Sequence, residues 1–418
     1  IVGKPHAAMT DKEIPLPAAS PAWLAHLLDW GLLSIVLLSP TQFSLAIRGV
    51  KVCPVDFAVG ATCLLWLFVR LRSRNRGAGL HLPPLALWLF PILAATSAIK
   101  AANRMESAKE ILQLTEYFVV AALLLFGRLQ DPVFLRRVLL AFFAVTSAIL
   151  LLGTIQYFTP GTPTFQVRAT FGNRNILGGY LALVMPLALG ILLWDPRPAI
   201  TAWMAALLSA GVLLSLAGGT WIALCVACMG VAGLRSGKSL LVTILAITLI
   251  TAVLLPRLPR AHPQILKESI DLFDDQGEMK PRYTEWQAAL NMATANPLLG
   301  VGIGNYQLNI GQHYGYIPRA NQNVTERDSH NLYLVMLSST GLLGLTAFLG
   351  MLVFFLTRSI SAYQQELTAP WMRGLTAGSA GAILAFAINS IWAGLLVRGL
   401  GIPLVLVLLM GSALYSPR

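Results

Sequence analysis

Long apolar runs recur from one end of the chain to the other, separated mostly by short polar links. A helix crossing the hydrocarbon core of a bilayer needs about 20 mainly apolar residues. The pattern predicts twelve such spans, at roughly 22–39, 53–69, 83–99, 111–127, 138–157, 175–194, 199–217, 219–234, 239–255, 331–357, 374–397 and 399–415. The spans 199–217 and 219–234 are joined tightly at Gly218-Gly219. The expected fold class is therefore all-α, a polytopic membrane protein of about twelve helices. It divides into a tail over 1–20, helices over 21–255, a loop over 256–330 and helices again over 331–418.

Composition agrees with this reading. Of the 418 residues, 56% are hydrophobic and only 11% charged, whereas soluble domains carry nearer a quarter charged residues. The net charge of +12 on such a chain points to orientation, anionic lipid or an anionic substrate. Nucleic acid is not an expected partner, since there is no soluble domain to carry a basic groove. The four cysteines make no disulfide scaffold. Cys225 and Cys228 have the spacing of a redox or metal pair, but without further ligands they read as two small buried residues one helical turn apart.

Charge also sets the expected orientation. The cluster Arg70, Arg72, Arg74 and Arg76 follows the second span and belongs on the cytoplasmic side. Alternating from there, Arg128, Arg136, Arg137, Arg197, Arg235, Lys238, Arg358 and Arg373 also fall inside, with both termini. The links 158–174 and 256–330 fall outside. The second, about 75 residues long, is the one sizeable polar region, and a loop that long is usually functional. Within it, Pro281 to Leu290 reads as a helix ending at Asn296-Pro297. A glycine turn follows at Gly300, Gly302 and Gly304, where backbone can approach a neighbour closely. No βαβ context surrounds these glycines, so they do not suggest a nucleotide site.

Candidate chemistry concentrates on that side. Arg168, Arg174 and Arg282 run against the positive-inside trend. Arginine offers a permanent charge and a planar fork of donors suited to phosphate, or else it snorkels to a headgroup. His330 follows the capping residues Asp328 and Ser329. It is expected in the first turn of a helix, where the dipole favours the neutral imidazole that a general base requires; the plain alternative is an interfacial histidine. His313, beside Tyr314 and Tyr316, is a reserve candidate, while His6, His26, His81 and His262 show no ligand spacing. Asp271, Asp274 and Asp275 read as a solvated acidic turn rather than a metal site. Asp29, Asp56 and Glu116 lie within spans, where a carboxylate needs a partner or a cavity.

Taken in order, the motifs resemble a known family. They are Thr170-Phe171-Gly172-Asn173-Arg174-Asn175, Arg282…Trp286-x-x-Ala289-Leu290, Asn296-Pro297-x-x-Gly300-x-Gly302-x-Gly304-Asn305-Tyr306 and Ser329-His330-Asn331-x-Tyr333-Leu334. Together with the topology they are similar to the O-antigen ligase and polymerase superfamily of bacterial envelopes. The resemblance covers residues 165–345 in motifs and the whole chain in topology. One departure is Ser215-Leu216-Ala217-Gly218-Gly219, where many relatives carry Ser-Arg-Gly; Arg174 or Arg168 is then expected to supply that charge.

The resemblance implies a membrane-embedded, GT-C-like glycosyltransferase of the bacterial inner membrane, with its active site facing the periplasm. Its donor would be a glycan on undecaprenyl diphosphate and its acceptor a sugar of lipid A–core, with membrane lipids around it. No cofactor, nucleotide or metal is expected. The family's loop arginine maps onto Arg282 and its essential histidine onto His330, the expected catalytic pair. Arg168, Arg174, Asn331, Tyr306 and His313 are the expected substrate contacts. A ligase is expected ahead of a polymerase or a protein oligosaccharyltransferase. A transporter of lipid-linked glycans would show an internal repeat, which this sequence lacks.

Overall fold

The computed structural model describes residues 22–47, 50–72, 81–159, 167–214, 217–250, 252, 279–313, 329–365, 367 and 369–415. The expected tail, Arg74, Arg76, His6, His262, the acidic turn 271–275, Tyr314, Tyr316, Asp328, Ser215 and Leu216 lie outside them. The chain is an all-α polytopic membrane protein. Every predicted apolar run carries a helix: α1 (Ala22–Leu38), α2 (Pro54–Arg72), α3 (Leu85–Thr96), α4 (Arg104–Thr115) continuing into α5 (Ala122–Leu129), and α6 (Pro132–Phe158). Then come α7 (Arg174–Trp194), α8 (Pro198–Leu214), α9 (Gly218–Arg235) and α10 (Gly237–Leu249). The long loop contributes α11 (Met279–Ala295) and the short α12 (Tyr306–Ile310), before α13 (Leu332–Tyr363), α14 (Pro370–Asn389) and α15 (Gly401–Ala413). Among the described residues seven helical stretches are long and apolar enough to cross a membrane, and five shorter apolar helices accompany them.

Burial sorts these helices into centre and rim. In α7, 83% of the apolar stretch is buried, against 22% in α2. With α14 and the almost wholly buried α15, α7 forms the centre, while α10 has no buried residue. Small residues make that centre possible. A Cβ on Gly374 would lie 2.5 Å from the Gly190 carbonyl, and one on Gly378 would lie 2.7 Å from Leu187 Cα. Backbones that close require glycine, and within a bilayer such van der Waals contact drives helix association.

Two of the carboxylates within spans, Asp29 and Asp56, are paired with arginines. Arg128 donates to Asp29 through Nε (3.0 Å) and Nη2 (2.8 Å). Arg398 donates from Nη1 to both oxygens of Asp56, at 2.7 and 2.5 Å. Cys225 and Cys228 are free thiols on α9, the second buried and the first partly so, as a packing role requires.

Four features depart from the sequence reading. A two-stranded antiparallel ribbon, β1 (Leu45–Ile47) with β2 (Val50–Val52), follows α1; three-residue strands leave no periodic signal to read. A π-helical turn, Glu116–Ala121, joins α4 to α5, and such turns mark functional or strained positions. The expected span 374–397 ends at Asn389, and residues 390–400 are irregular. That stretch is apolar because it is packed inside the protein, with Ala393, Leu395 and Leu400 buried, a setting in which irregular backbone is tolerated at membrane depth.

The fourth departure matters most. The expected span 331–357 is a helix broken at Gly341, whose φ of 67° and ψ of −168° are not helical. The N–H of Leu342 donates to the Pro297 carbonyl (2.8 Å) and that of Leu343 to the Leu298 carbonyl (3.4 Å). The loop therefore caps the second half of α13. Leu342–Tyr363, about 33 Å at 1.5 Å per residue, matches the hydrocarbon core by itself. Its Leu342, Leu343, Leu349 and Val353 are exposed. The first half, Leu332–Thr340, has no exposed residue and packs against the loop.

Candidate active site

The loop segment is built on a small core of its own, Ala288, Ala289, Met292, Val301, Tyr306 and Ile310. The core binds α11 to the first half of α13, and Ser338 Oγ adds a bond to the Ala289 carbonyl (3.0 Å). Beneath it lies the glycine turn, with positive φ at Gly300, Gly302 and Gly304. Added Cβ atoms there would come within 2.5–2.7 Å of the backbone of Ser338, Ala101 and Glu106 respectively. Val301 and Gly302 donate to the carbonyls of Ser338 (2.9 Å) and Ser339 (3.0 Å). The close approach expected of these glycines is thus realised against α13 and the α3–α4 turn.

Asn305 completes the anchor. Its Oδ1 accepts from the Asn103 N–H (2.7 Å), and its Nδ2 donates to the Asn103 carbonyl (3.1 Å) and Ser107 Oγ (2.9 Å). A fully buried amide with its bonds made is a rigid fixture, because losing any partner leaves a desolvated polar group.

On this base the loop ties α11, which bears Arg282, to the segment that bears His330. Arg282 lies one helical turn before Trp286 on α11, hence on the same face. Trp286 Nε1 donates to the Ser329 carbonyl (2.8 Å), the residue before His330. Ser329 is fully buried and its Oγ donates to the Asn331 carbonyl (3.2 Å). The Leu332 N–H donates to the Ser390 carbonyl (2.9 Å), and the Tyr333 hydroxyl to the Ala387 carbonyl (2.5 Å). The His330 segment is therefore held from α11 on one side and α14 on the other.

The expected placement of His330 in a first helical turn is corrected. Asn331 is the N-cap, its Oδ1 accepting from the Leu334 N–H at 3.1 Å. His330 precedes it with φ 49°, a left-handed conformation that a non-glycine residue adopts at a cost of about 1 kcal/mol. Asp328, Ser329 and Asn331 all suit a cap by residue type, so sequence alone could not choose among them. Asn331→Ala is expected to lower stability by about 1 kcal/mol, with Asn331→Asp keeping the cap. If the amide of Asn331 also holds substrate, the Asp variant will unfold like the parent yet transfer poorly; equal activity would leave it a cap alone.

The remaining expected contacts are distributed unevenly. Tyr306 is buried in the small loop core, and the His313 carbonyl accepts from Asn291 Nδ2 (3.2 Å) beside α11. Arg168 is exposed and donates from Nη1 to the Gly172 carbonyl (3.2 Å). Arg174 opens α7, with Asn173 as its cap. This second group borders the 390–400 segment through Gln42, a residue the sequence reading does not single out. Gln42 accepts from the Gly172 N–H and donates to the Arg398 carbonyl. Arg398, also not anticipated, sits with Asp56, and the Glu116 carboxyl is within electrostatic reach of Asp56. The signal available for Arg398 was a lone charge between two apolar stretches. In the departing motif, Gly219 packs under Trp392, whose Cβ would be 2.7 Å from an added Cβ; no larger side chain fits there.

Comparison with known proteins agrees with this architecture. No curated protein matches the chain. A family model described as O-Antigen ligase matches residues 203–349, a stretch that runs from α8 through Arg282, the glycine turn and His330 into the second half of α13. Members of that family are glycosyltransferase-like ligases and polymerases. That match supports placing the chain in the O-antigen ligase and polymerase superfamily.

Proposed function

We propose that the chain is a ligase that moves a glycan from undecaprenyl diphosphate to a hydroxyl of a lipid A–core sugar. The twelve helices would cross the bacterial inner membrane with both termini in the cytoplasm, and the 256–330 loop would stand on the periplasmic face. The reading rests above all on the Trp286–Ser329 hydrogen bond. It fastens the helix bearing Arg282 to the segment bearing His330, which supports assigning a permanent cation and an acid–base side chain to one site.

In this reading the acceptor hydroxyl attacks the anomeric carbon while His330 takes its proton. The bond from that carbon to the diphosphate oxygen breaks, and the pair of electrons leaves on the diphosphate. Arg282, aided by Arg174 and Arg168, stabilises that charge where it develops. Direct displacement inverts the anomeric configuration, and no nucleotide, cofactor or metal takes part. The strain at His330 favours a working role, since left-handed non-glycine residues gather at functional sites.

The test is transfer by purified protein given an undecaprenyl-diphosphate glycan and lipid A–core, with EDTA and no nucleotide. Glycan on lipid A–core is the expected product. Lengthened glycan still on undecaprenyl diphosphate would make the chain a polymerase instead, and no product on either lipid from folded protein would favour transport. Trp286→Phe keeps the ring but leaves the Ser329 carbonyl without its donor, which costs about 1–3 kcal/mol for a buried acceptor. It is expected to slow transfer with donor binding largely retained; unchanged turnover would detach this contact from the chemistry.

A further inference from the structure

Opposite the candidate active site, the bundle holds a second feature. It is an open groove lined by residues of α6, α7, α8 and α14. Helix α7 separates the two: Arg174 begins it, and the cavity lies beyond its other end, about 31 Å away at 1.5 Å per residue. The rim of the cavity is charged and its depth is apolar. Arg136 and Arg197 lie at or before the first turns of α6 and α8, whereas Phe143 and Met204 lie about two turns further along the same helices. Behind the lining, Phe143 meets Trp203 edge-to-face (6.2 Å) and Trp203 Nε1 donates to Ser147 Oγ (2.9 Å).

The charges at the rim are prearranged. The Asp195 side chain is buried and accepts from Arg197 Nε (2.7 Å) and Nη2, which fixes the guanidinium and leaves its Nη1 for another acceptor. Arg136 stands exposed within electrostatic reach of Asp195, so two cations face one carboxylate. Trp371, on the first turn of α14, completes the rim, a placement suited to a membrane–water interface. A fixed arginine fork beside a free arginine suits a phosphate, and the apolar depth suits acyl chains. A soluble phosphate would have no use for Phe143 and Met204.

We infer that this cavity binds one anionic phospholipid of the bilayer, its phosphate between Arg136 and Arg197 and its acyl chains along α6 and α8. The occupant sits in the leaflet opposite the Arg282–His330 pair, so it is a bound component of the fold and not the glycan donor. Basic pockets between membrane helices hold such headgroups in the same way. The inference stands whether or not the proposed glycan transfer is correct.

Native mass spectrometry of the full chain in detergent, supplied with equal phosphatidylglycerol and phosphatidylcholine of the same acyl chains, tests it. The parent is expected to retain phosphatidylglycerol selectively. Arg136→Gln should lower that retention about fivefold, the effect of one basic residue at a lipid surface. Leu140→Trp, which fills the cavity and keeps both arginines, should lower it comparably. Arg137→Gln removes the same charge one residue away from the cavity lining and should change nothing. Retention equal to the parent in both Arg136→Gln and Leu140→Trp would overturn the inference. So would a loss in Arg137→Gln matching that in Arg136→Gln, or displacement of the lipid by millimolar inorganic phosphate.

Discussion

Replacing His330 with glycine is expected to abolish glycan transfer while leaving the protein as stable as the parent, or more so. The backbone at this residue is left-handed, with φ 49°, and a side chain there costs about 1 kcal/mol that glycine does not. Part of the gain is returned, because glycine loses more conformational freedom on folding. The rate is another matter: a positioned general base contributes about 10²- to 10⁴-fold. Thermal unfolding in detergent, measured beside transfer to lipid A–core, separates the two effects. His330→Ala should lose turnover equally but keep the backbone strain, so it should unfold no later than the glycine variant. Parent-like transfer by either variant would end the general-base role. A large loss of stability in the glycine variant would show instead that the imidazole holds the segment together.

The second large effect is expected at Arg398, and it should be lopsided. Arg398 is paired with Asp56, with Glu116 in electrostatic reach of both, and only part of each side chain in the Arg398–Asp56 pair reaches the surface, 24% and 16% respectively. Arg398→Gln leaves two carboxyls together without a counter-charge, and losing one partner of a buried pair costs about 3–5 kcal/mol. Asp56→Asn leaves Glu116 to serve the arginine and should cost much less. The double variant, Asp56→Asn with Arg398→Gln, should recover a good part of the loss. Denaturation midpoints of the three proteins decide this. Equal losses in the two single variants would mean that Glu116 takes no part in the pairing.

These sites show what the sequence could and could not say. Helices were legible because the bilayer enforces one simple signal, a long apolar run, and each predicted run carries a helix. Where a run breaks was not legible. Gly341 interrupts α13 because Pro297 and Leu298 supply carbonyls to the next N–H groups, and residues 390–400 leave the helix because neighbours enclose them. Hydropathy averages over both. The glycine turn was readable because positive φ has a residue signature, whereas the register of the cap at His330 slipped among three residues that cap equally well. The link from α11 to the His330 segment rests on Trp286, four residues after Arg282, and so had a local trace in the motif. Arg398 had none, since its partner Asp56 lies 342 positions away in the chain.

The glycine turn also fixes an order of events. Its partners come from Ser97 to Ser107, from Asn296 to Asn305 and from Ser338 to Leu343, and Asn305 reaches Asn103 across 202 positions. Contacts so distant form late, because the intervening chain must already be in place. While α13 is still emerging from the ribosome, Gly300 to Asn305 has no Ser338 or Ser339 to bind. A nascent chain stopped before Ser338 would therefore expose this segment to protease, and the finished chain would not. Catalytic competence and resistance to cleavage should thus appear together, as the last helices arrive.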